Sequence, residues 1–124
     1  MTKERIKLGV EGEALALQFL MTSGYKILEK NYRNKFGEID LVARDGDTIC
    51  FIEVKTRVSE NHGTPFEAVT FFKKRKLIKV ALWYLKIHRL EDVRARFDVV
   101  GVGGPLQENI SIIKNAFDLA DAGF

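Results

Sequence analysis

The chain has 124 residues, 46% hydrophobic and 30% charged, an ordinary soluble balance with no internal repeat, low-complexity stretch or linker. That length buries a core as one domain over residues 1–124 without disulfides or a structural metal, and the single cysteine, Cys50, has no partner for either. A net charge of +3 and a pI near 9.0 permit nucleic-acid binding without requiring it.

No apolar run is long enough to span a membrane, and the N-terminus lacks the continuous apolar stretch of a secretory leader. A cytoplasmic location is therefore expected. Thr2 can cap a first helix that runs to about Ser23 and stops at Gly24, with an apolar stripe through Ile6, Val10, Ala14, Leu17 and Met21. A first strand fits Lys26–Arg33, followed by a short turn ending at Gly37. Two apolar runs then flank Arg44-Asp45-Gly46-Asp47, and Asp-Gly in that setting is a strong hairpin signal.

Beyond the hairpin, Thr64 can cap a second helix, with Pro65 at the first helical position and Glu67 completing a capping box; the helix should run to about His88. A strand fits Arg96–Val102, ended by Gly103-Gly104-Pro105, and another fits Ile110–Lys114. The order α-β-β-β-α-β-β predicts an α/β domain with a mixed sheet. If the strand after the second helix is parallel to the one before it, the crossover should be right-handed.

The hairpin carries the chemistry. With Asp45-Gly46 as the turn, Arg44 lies opposite Asp47, Asp40 opposite Phe51 and Glu38 opposite Glu53. Side chains alternate faces along a strand, so Glu38, Asp40, Glu53 and Lys55 should share one face. Asp40 and Glu53 become diagonal neighbours roughly 7–8 Å apart, near enough for both carboxylates to reach one cation. Mg²⁺ and Mn²⁺ favour oxygen ligands, and Mg²⁺ takes one or two carboxylates while keeping water and phosphate oxygens. Lys55 could orient a metal-activated water or stabilise a phosphate.

A solvated strand face, with ion pairs worth about 0–1 kcal/mol, is the alternative. The flanking pattern argues against it. Ile39, Leu41 and Ala43 share a face with Cys50, Ile52 and Val54, while Val42, Ile49 and Phe51 fall on the charged face. A strand pair apolar on both sides is covered on both faces, so charges confined to one end look like a site.

Glu13 sits on the edge of the first helix's stripe beside Gly9 and Gly12, each about 1 kcal/mol worse than Ala in a helix. The glycines suggest close approach of the sheet or of a ligand; equally, Glu13 could be a boundary residue and the glycines serve packing. The start of the second helix is a natural phosphate position, and the run Lys73-Lys74-Arg75-Lys76 about two turns along could hold the next phosphates, although such runs are more often solvated faces. Arg33, Lys35 and Arg57, with Lys26 and Lys30, add positive charge on nearby strands and turns, as duplex backbone contacts require. Asp98 can pair locally with Arg96, and His62 and His88 form no metal spacing. The apolar C-terminal segment Ala116–Phe124 could serve a protein partner or pack on its own domain.

Gly12-Glu13, Asn31-Tyr32-Arg33, Gly37-Glu38-Ile39-Asp40-Leu41, Glu53-Val54-Lys55-Thr56-Arg57 and Arg96-Phe97-Asp98 occur in an order that resembles the YraN family, over about Lys7 to Val102. The Asp40…Glu53-x-Lys55 core also resembles the PD-(D/E)xK nuclease superfamily, which includes restriction endonucleases and Holliday-junction resolvases, with Ile39 where that name has proline. The resemblance implies a restriction-endonuclease-like fold in which Asp40, Glu53 and the Val54 carbonyl ligate Mg²⁺ or Mn²⁺. It implies that Lys55 positions the attacking water and that Glu13 completes the metal shell, often through water. The expected function is hydrolysis of DNA phosphodiester bonds, on branched or flapped structures, by a homodimer; Arg33, Lys35, Arg57, Lys73 and Lys76 are the expected nucleic-acid contacts. A non-catalytic nucleic-acid-binding module that keeps the fold is the rival, because fold and site can outlast turnover.

Overall fold

A computed structural model describes residues 3–56, 69–104 and 109–124. The elements are α1 (Lys3–Thr22), β1 (Lys26–Asn34), β2 (Gly37–Asp45), β3 (Thr48–Thr56), α2 (Phe71–Ile87), β4 (Arg94–Gly103) and β5 (Asn109–Phe117), with a 3₁₀ turn at Ala120–Ala122. The helix and strand order is the one the sequence predicts. The strands form one sheet in the order β1-β2-β3-β4-β5. Neighbours are antiparallel except β3 and β4, the pair joined through α2, which run parallel.

Each face of the sheet is covered by a helix. Ala16 and Leu20 of α1 bury against Leu41, Ala43, Cys50, Ile52, Val100 and Val102. On the other face Leu77, Ile78, Val80, Ala81 and Tyr84 of α2 bury against Val42, Ile49, Phe51, Phe97 and Val99. Cover on both sides explains why β3 reads as a nearly continuous apolar run rather than an alternating one. The C-terminal segment packs on its own sheet and helix: Phe117 stacks on Phe97 at 4.8 Å, and the Arg75 guanidinium donates to the Ala122 carbonyl at 2.6 Å.

Several expectations are corrected. The buried row of α1 is Gly12-Ala16-Leu20, while Val10 and Met21 of the expected stripe are 63% and 59% exposed and Ala14 is exposed. The large residues made the sequence pattern; the small ones make the contact, because they let the helix axis approach the sheet. Gly12 is the extreme case: a Cβ there would collide with the Thr56 hydroxyl on β3. At Gly9 a Cβ would meet no described atom within 4 Å, so only one of the two glycines marks a close approach.

The second helix begins at Phe71, not Thr64. Thr70 is extended (φ −71°, ψ 166°), and its hydroxyl accepts from the Lys73 N–H, which caps the start of the helix there. The proposed capping box at Thr64–Glu67, together with Thr2, Arg57 and His62, lies outside the described residues.

The hairpin register is also two residues away from expectation. Asp45 pairs with Thr48, Arg44 with Ile49, Val42 with Phe51 and Leu41 with Ile52. The turn is therefore Gly46-Asp47, with Gly46 at φ +63° in its first central position, as in a type II′ turn. Strict alternation fails as well, since Ile39 buries on the α2 side with Val42 while Leu41 and Ala43 bury on the α1 side. The break falls at Asp40, where the ladder of β2 with β3 has ended and the facing β1 residue, Asn31, adopts φ +51°.

Candidate metal and phosphate site

The end of the β2–β3 ladder is where the acidic residues gather. Beyond Leu41–Ile52 the strands no longer exchange ladder bonds, and Asp40 Oδ2 accepts the Val54 N–H at 2.7 Å. A side chain thus satisfies a backbone donor that the parted strands leave free. Continuing the register by one step sets Asp40 directly across from Glu53, not diagonal to it.

The Glu53 carboxyl acts directly on Asp40, whose pKa is pushed up to about 8. Burial is the largest cause, followed by the hydrogen bond with Glu53 and that residue's charge; the Val54 N–H works in the opposite direction. Glu53 is only 4% exposed. Its Oε2 is buried without a hydrogen bond of good geometry, although the Lys73 ammonium stands 2.7 Å away as an ion pair and Lys55 Nζ lies 3.8 Å away.

The lysines divide the work. Lys55, on β3, is lowered, chiefly by burial and then by the neighbouring Lys73 charge. For Lys73, burial opposes the charge, but the Glu53 carboxylate outweighs it and raises the pKa. Lys73 reaches Glu53 from α2, whereas Asp40 lines a cleft of about 150 Å³ under α1 together with Glu13, Leu17, Lys30, Asn31 and Leu41. Asp40 thus borders both the cleft under α1 and the cluster of Glu53, Lys55 and Lys73. Glu38 does not face Glu53. It pairs across the sheet with Arg33 at 2.7 Å.

Glu13 is half-buried and raised, first by burial and then by the charges of Glu38 and Glu53. It faces the same cleft as Asp40. Among the described residues no three His, Cys, Asp or Glu side chains close on one point, so Glu13 stands beside the Asp40–Glu53 pair and not within it. The pair itself fits a hard divalent cation: two neighbouring carboxyl groups, one buried carboxylate oxygen that already draws a cation in the Lys73 ammonium, and the Val54 backbone at the same strand end.

Of the expected nucleic-acid contacts, Lys73 lies in the site, while Arg33 and Lys76 are exposed on β1 and α2. Lys35 is engaged with the rings of Phe36 and Trp83. Sequence reasoning missed the role of Lys73 as counter-ion to Glu53 and that of Asn31 opposite Asp40. Asparagine tolerates positive φ, but its presence in a strand does not announce it. Asp98 is structural, as the sequence suggests: it is buried, held by Arg96 Nε at 3.0 Å and by the Asn115 N–H at 2.9 Å.

The profile described as "Uncharacterised protein family UPF0102" matches residues 12–102. A UPF0102 protein of Syntrophus aciditrophicus is 48% identical over 118 residues, covering 94% of this chain and 93% of the relative. One from Thermodesulfovibrio yellowstonii is 49% identical over 91% of this chain and 97% of its own length. One from Geobacter metallireducens is 49% identical over 97% and 99%. These descriptions name no activity.

Proposed function

For this chain, which belongs to the uncharacterised protein family UPF0102, we propose a metal-dependent endonuclease that hydrolyses DNA phosphodiester bonds. The observation that carries the reading is the juxtaposition of a half-buried carboxyl, Asp40, with a buried one, Glu53, at the open end of a strand pair with Lys55 beside them. Two acids forced together at a shared proton's cost are difficult to account for as a solvated surface pair.

Asp40, Glu53 and the Val54 carbonyl would hold Mg²⁺ or Mn²⁺, with Glu13 reaching the shell through water. When bound, the ion would acidify a water molecule and neutralise charge on the phosphate. Lys55 would orient the attacking water and stabilise the negative charge that builds on the phosphoryl oxygens. Lys73 would exchange Glu53 for a phosphate oxygen, a partner its partly exposed ammonium can reach by swinging outward. Arg33, Lys76 and Arg57 would supply salt-sensitive backbone contacts, and a homodimer would allow paired cuts.

The test is cleavage of labelled single strand, duplex, flap and four-way junction with Mn²⁺, Mg²⁺ or EDTA. Metal-dependent cutting that disappears in Asp40→Ala and Lys55→Ala is the expected result; equal cutting in those variants would overturn the assignment. A second reading, a binding module without turnover, draws on the Lys73–Glu53 ion pair, which neutralises the buried acid without a metal. It expects salt-sensitive binding unchanged in Lys55→Ala and no cutting with either ion.

A further inference from the structure

Away from the carboxylates, Phe36 in the β1–β2 turn and Trp83 on α2 meet edge to face with ring centroids 6.0 Å apart. With Leu82 they line a shallow hollow of about 210 Å³, whose remaining lining residues are Lys79 and Lys86. Phe36 and Leu82 are 37% and 43% exposed, so the hollow opens to solvent with apolar surface uncovered. Lys35 Nζ lies 4.5 Å from the Trp83 ring centroid and 5.2 Å from that of Phe36, and Lys86 Nζ lies 5.7 Å from Trp83.

The charge around these rings is of one sign. Among the described residues no carboxylate lines the hollow, and α2 contains neither Asp nor Glu along its whole length. An ordinary solvated helix face mixes acids with bases at helical spacing; this one offers aromatic area edged only by ammonium groups. A polyanion with flat apolar faces complements both features at once. An apolar protein surface would satisfy the rings and leave the lysines without partners.

We propose that this hollow binds single-stranded nucleic acid, with a base stacked against Phe36 and Trp83 and the flanking phosphates on Lys35, Lys79 and Lys86. Base faces are free in a single strand and stacked away in a duplex, so the rings select the unpaired form. Lys73 and Trp83 lie on the same helix, about 15 Å apart along its axis at 1.5 Å per residue. A strand seated on the hollow therefore lies within a few nucleotides of Glu53. Taking a single-stranded segment as the form of the substrate rests on the hydrolase reading above; binding at the hollow does not.

Trp83 is the only tryptophan in the chain, so its fluorescence reports this hollow alone. The protein would be titrated in EDTA with a short oligothymidylate, its oligouridylate counterpart, a duplex of equal length, and dextran sulfate as a base-free polyanion. Saturable quenching by the single strands is expected, with much weaker quenching by duplex and dextran sulfate. Phe36→Ala should weaken binding roughly 5- to 150-fold, the effect of losing one base–aromatic stack. Lys35→Gln should reduce the slope of log K against log salt by about 0.7, one phosphate contact on a single strand.

Absence of quenching by a folded protein, equal quenching by dextran sulfate, or unchanged affinity in Phe36→Ala would each overturn the proposal; a protein partner would then be sought for the rings. Quenching in a protein that cuts nothing with Mn²⁺ sinks the hydrolase reading and leaves the hollow standing. Cutting without quenching does the reverse.

Discussion

Lys73 Nζ stands 2.7 Å from Glu53 Oε2, so a residue of α2 supplies the counter-charge for an acid on β3 that is only 4% exposed. The helix that covers one face of the sheet thereby takes part in the site at its end. Removing the ammonium leaves Glu53 with Lys55, 3.8 Å away, and with the adjacent Asp40 carboxyl.

Lys73→Gln is accordingly expected to destabilise the metal-free protein by about 1 kcal/mol, between the surface-pair and buried-pair scales because the Lys73 side chain is 44% exposed. The same substitution should tighten Mn²⁺ binding, since the ion no longer competes with a resident cation. Thermal melts in EDTA and with added Mn²⁺ check both parts. A variant that melts like wild type without metal and gains nothing from Mn²⁺ would show that the ion pair is incidental.

Gly12 sets the distance between α1 and β3. Gly12→Ala removes a poor helix residue, worth about 1 kcal/mol on propensity alone, yet its Cβ would collide with Thr56. Overpacking costs about 1–3 kcal/mol, so a net loss of stability is expected by urea denaturation. Gly9→Ala, where the new methyl meets no described atom within 4 Å, should be neutral or stabilising. Equal gains at both positions would mean that α1 does not approach the sheet closely at Gly12.

Arg96 ties the turn end of the sheet together by holding Asp45 at 2.7 Å and Asp98 at 3.0 Å. The hydrogen bond from Arg96 keeps Asp45 below its ordinary value, with the Arg96 and Lys114 charges adding to it. A lowered carboxylate contributes stability that is fully present above its unfolded value and lost as pH falls through the folded one. Asp45→Asn should therefore cost about 0.5–1 kcal/mol at neutral pH, and the difference from wild type should shrink as pH falls through the lowered folded value of Asp45. Melts across pH 2–7 would show it; a constant difference down to pH 2 would contradict the assignment.

Much of this was legible in the sequence. Asp45-Gly46 located the hairpin, the strand positions followed from the apolar runs although β4 and β5 extend beyond the expected Arg96–Val102 and Ile110–Lys114, and Glu53-x-Lys55 with Asp40 marked the end where charge interrupts a covered sheet. What escaped was set by tertiary contact. A slip of the turn from Asp45-Gly46 to Gly46-Asp47 moves the register by two residues, which preserves faces and so leaves no trace in hydrophobic alternation. The buried row of α1 consists of Gly12 and Ala16 as well as Leu20, and small residues contribute little to an apolar pattern even where they lie nearest the sheet. Lys73 read as one cation in a basic run, because nothing local distinguishes the lysine whose helix position brings it to Glu53.

The central claim is that Asp40 and Glu53 together hold a divalent cation. Titration calorimetry with Mn²⁺ on the wild type, Asp40→Asn and Glu53→Gln tests it most directly, with melting curves to show that all three are folded. One saturable Mn²⁺ site in the wild type, lost or weakened at least about tenfold in each variant, is the expected result, since losing even a group that only hydrogen-bonds to a metal ligand costs about 10–100-fold. A folded wild type that binds no Mn²⁺, or variants that bind it as tightly as wild type, would contradict the account.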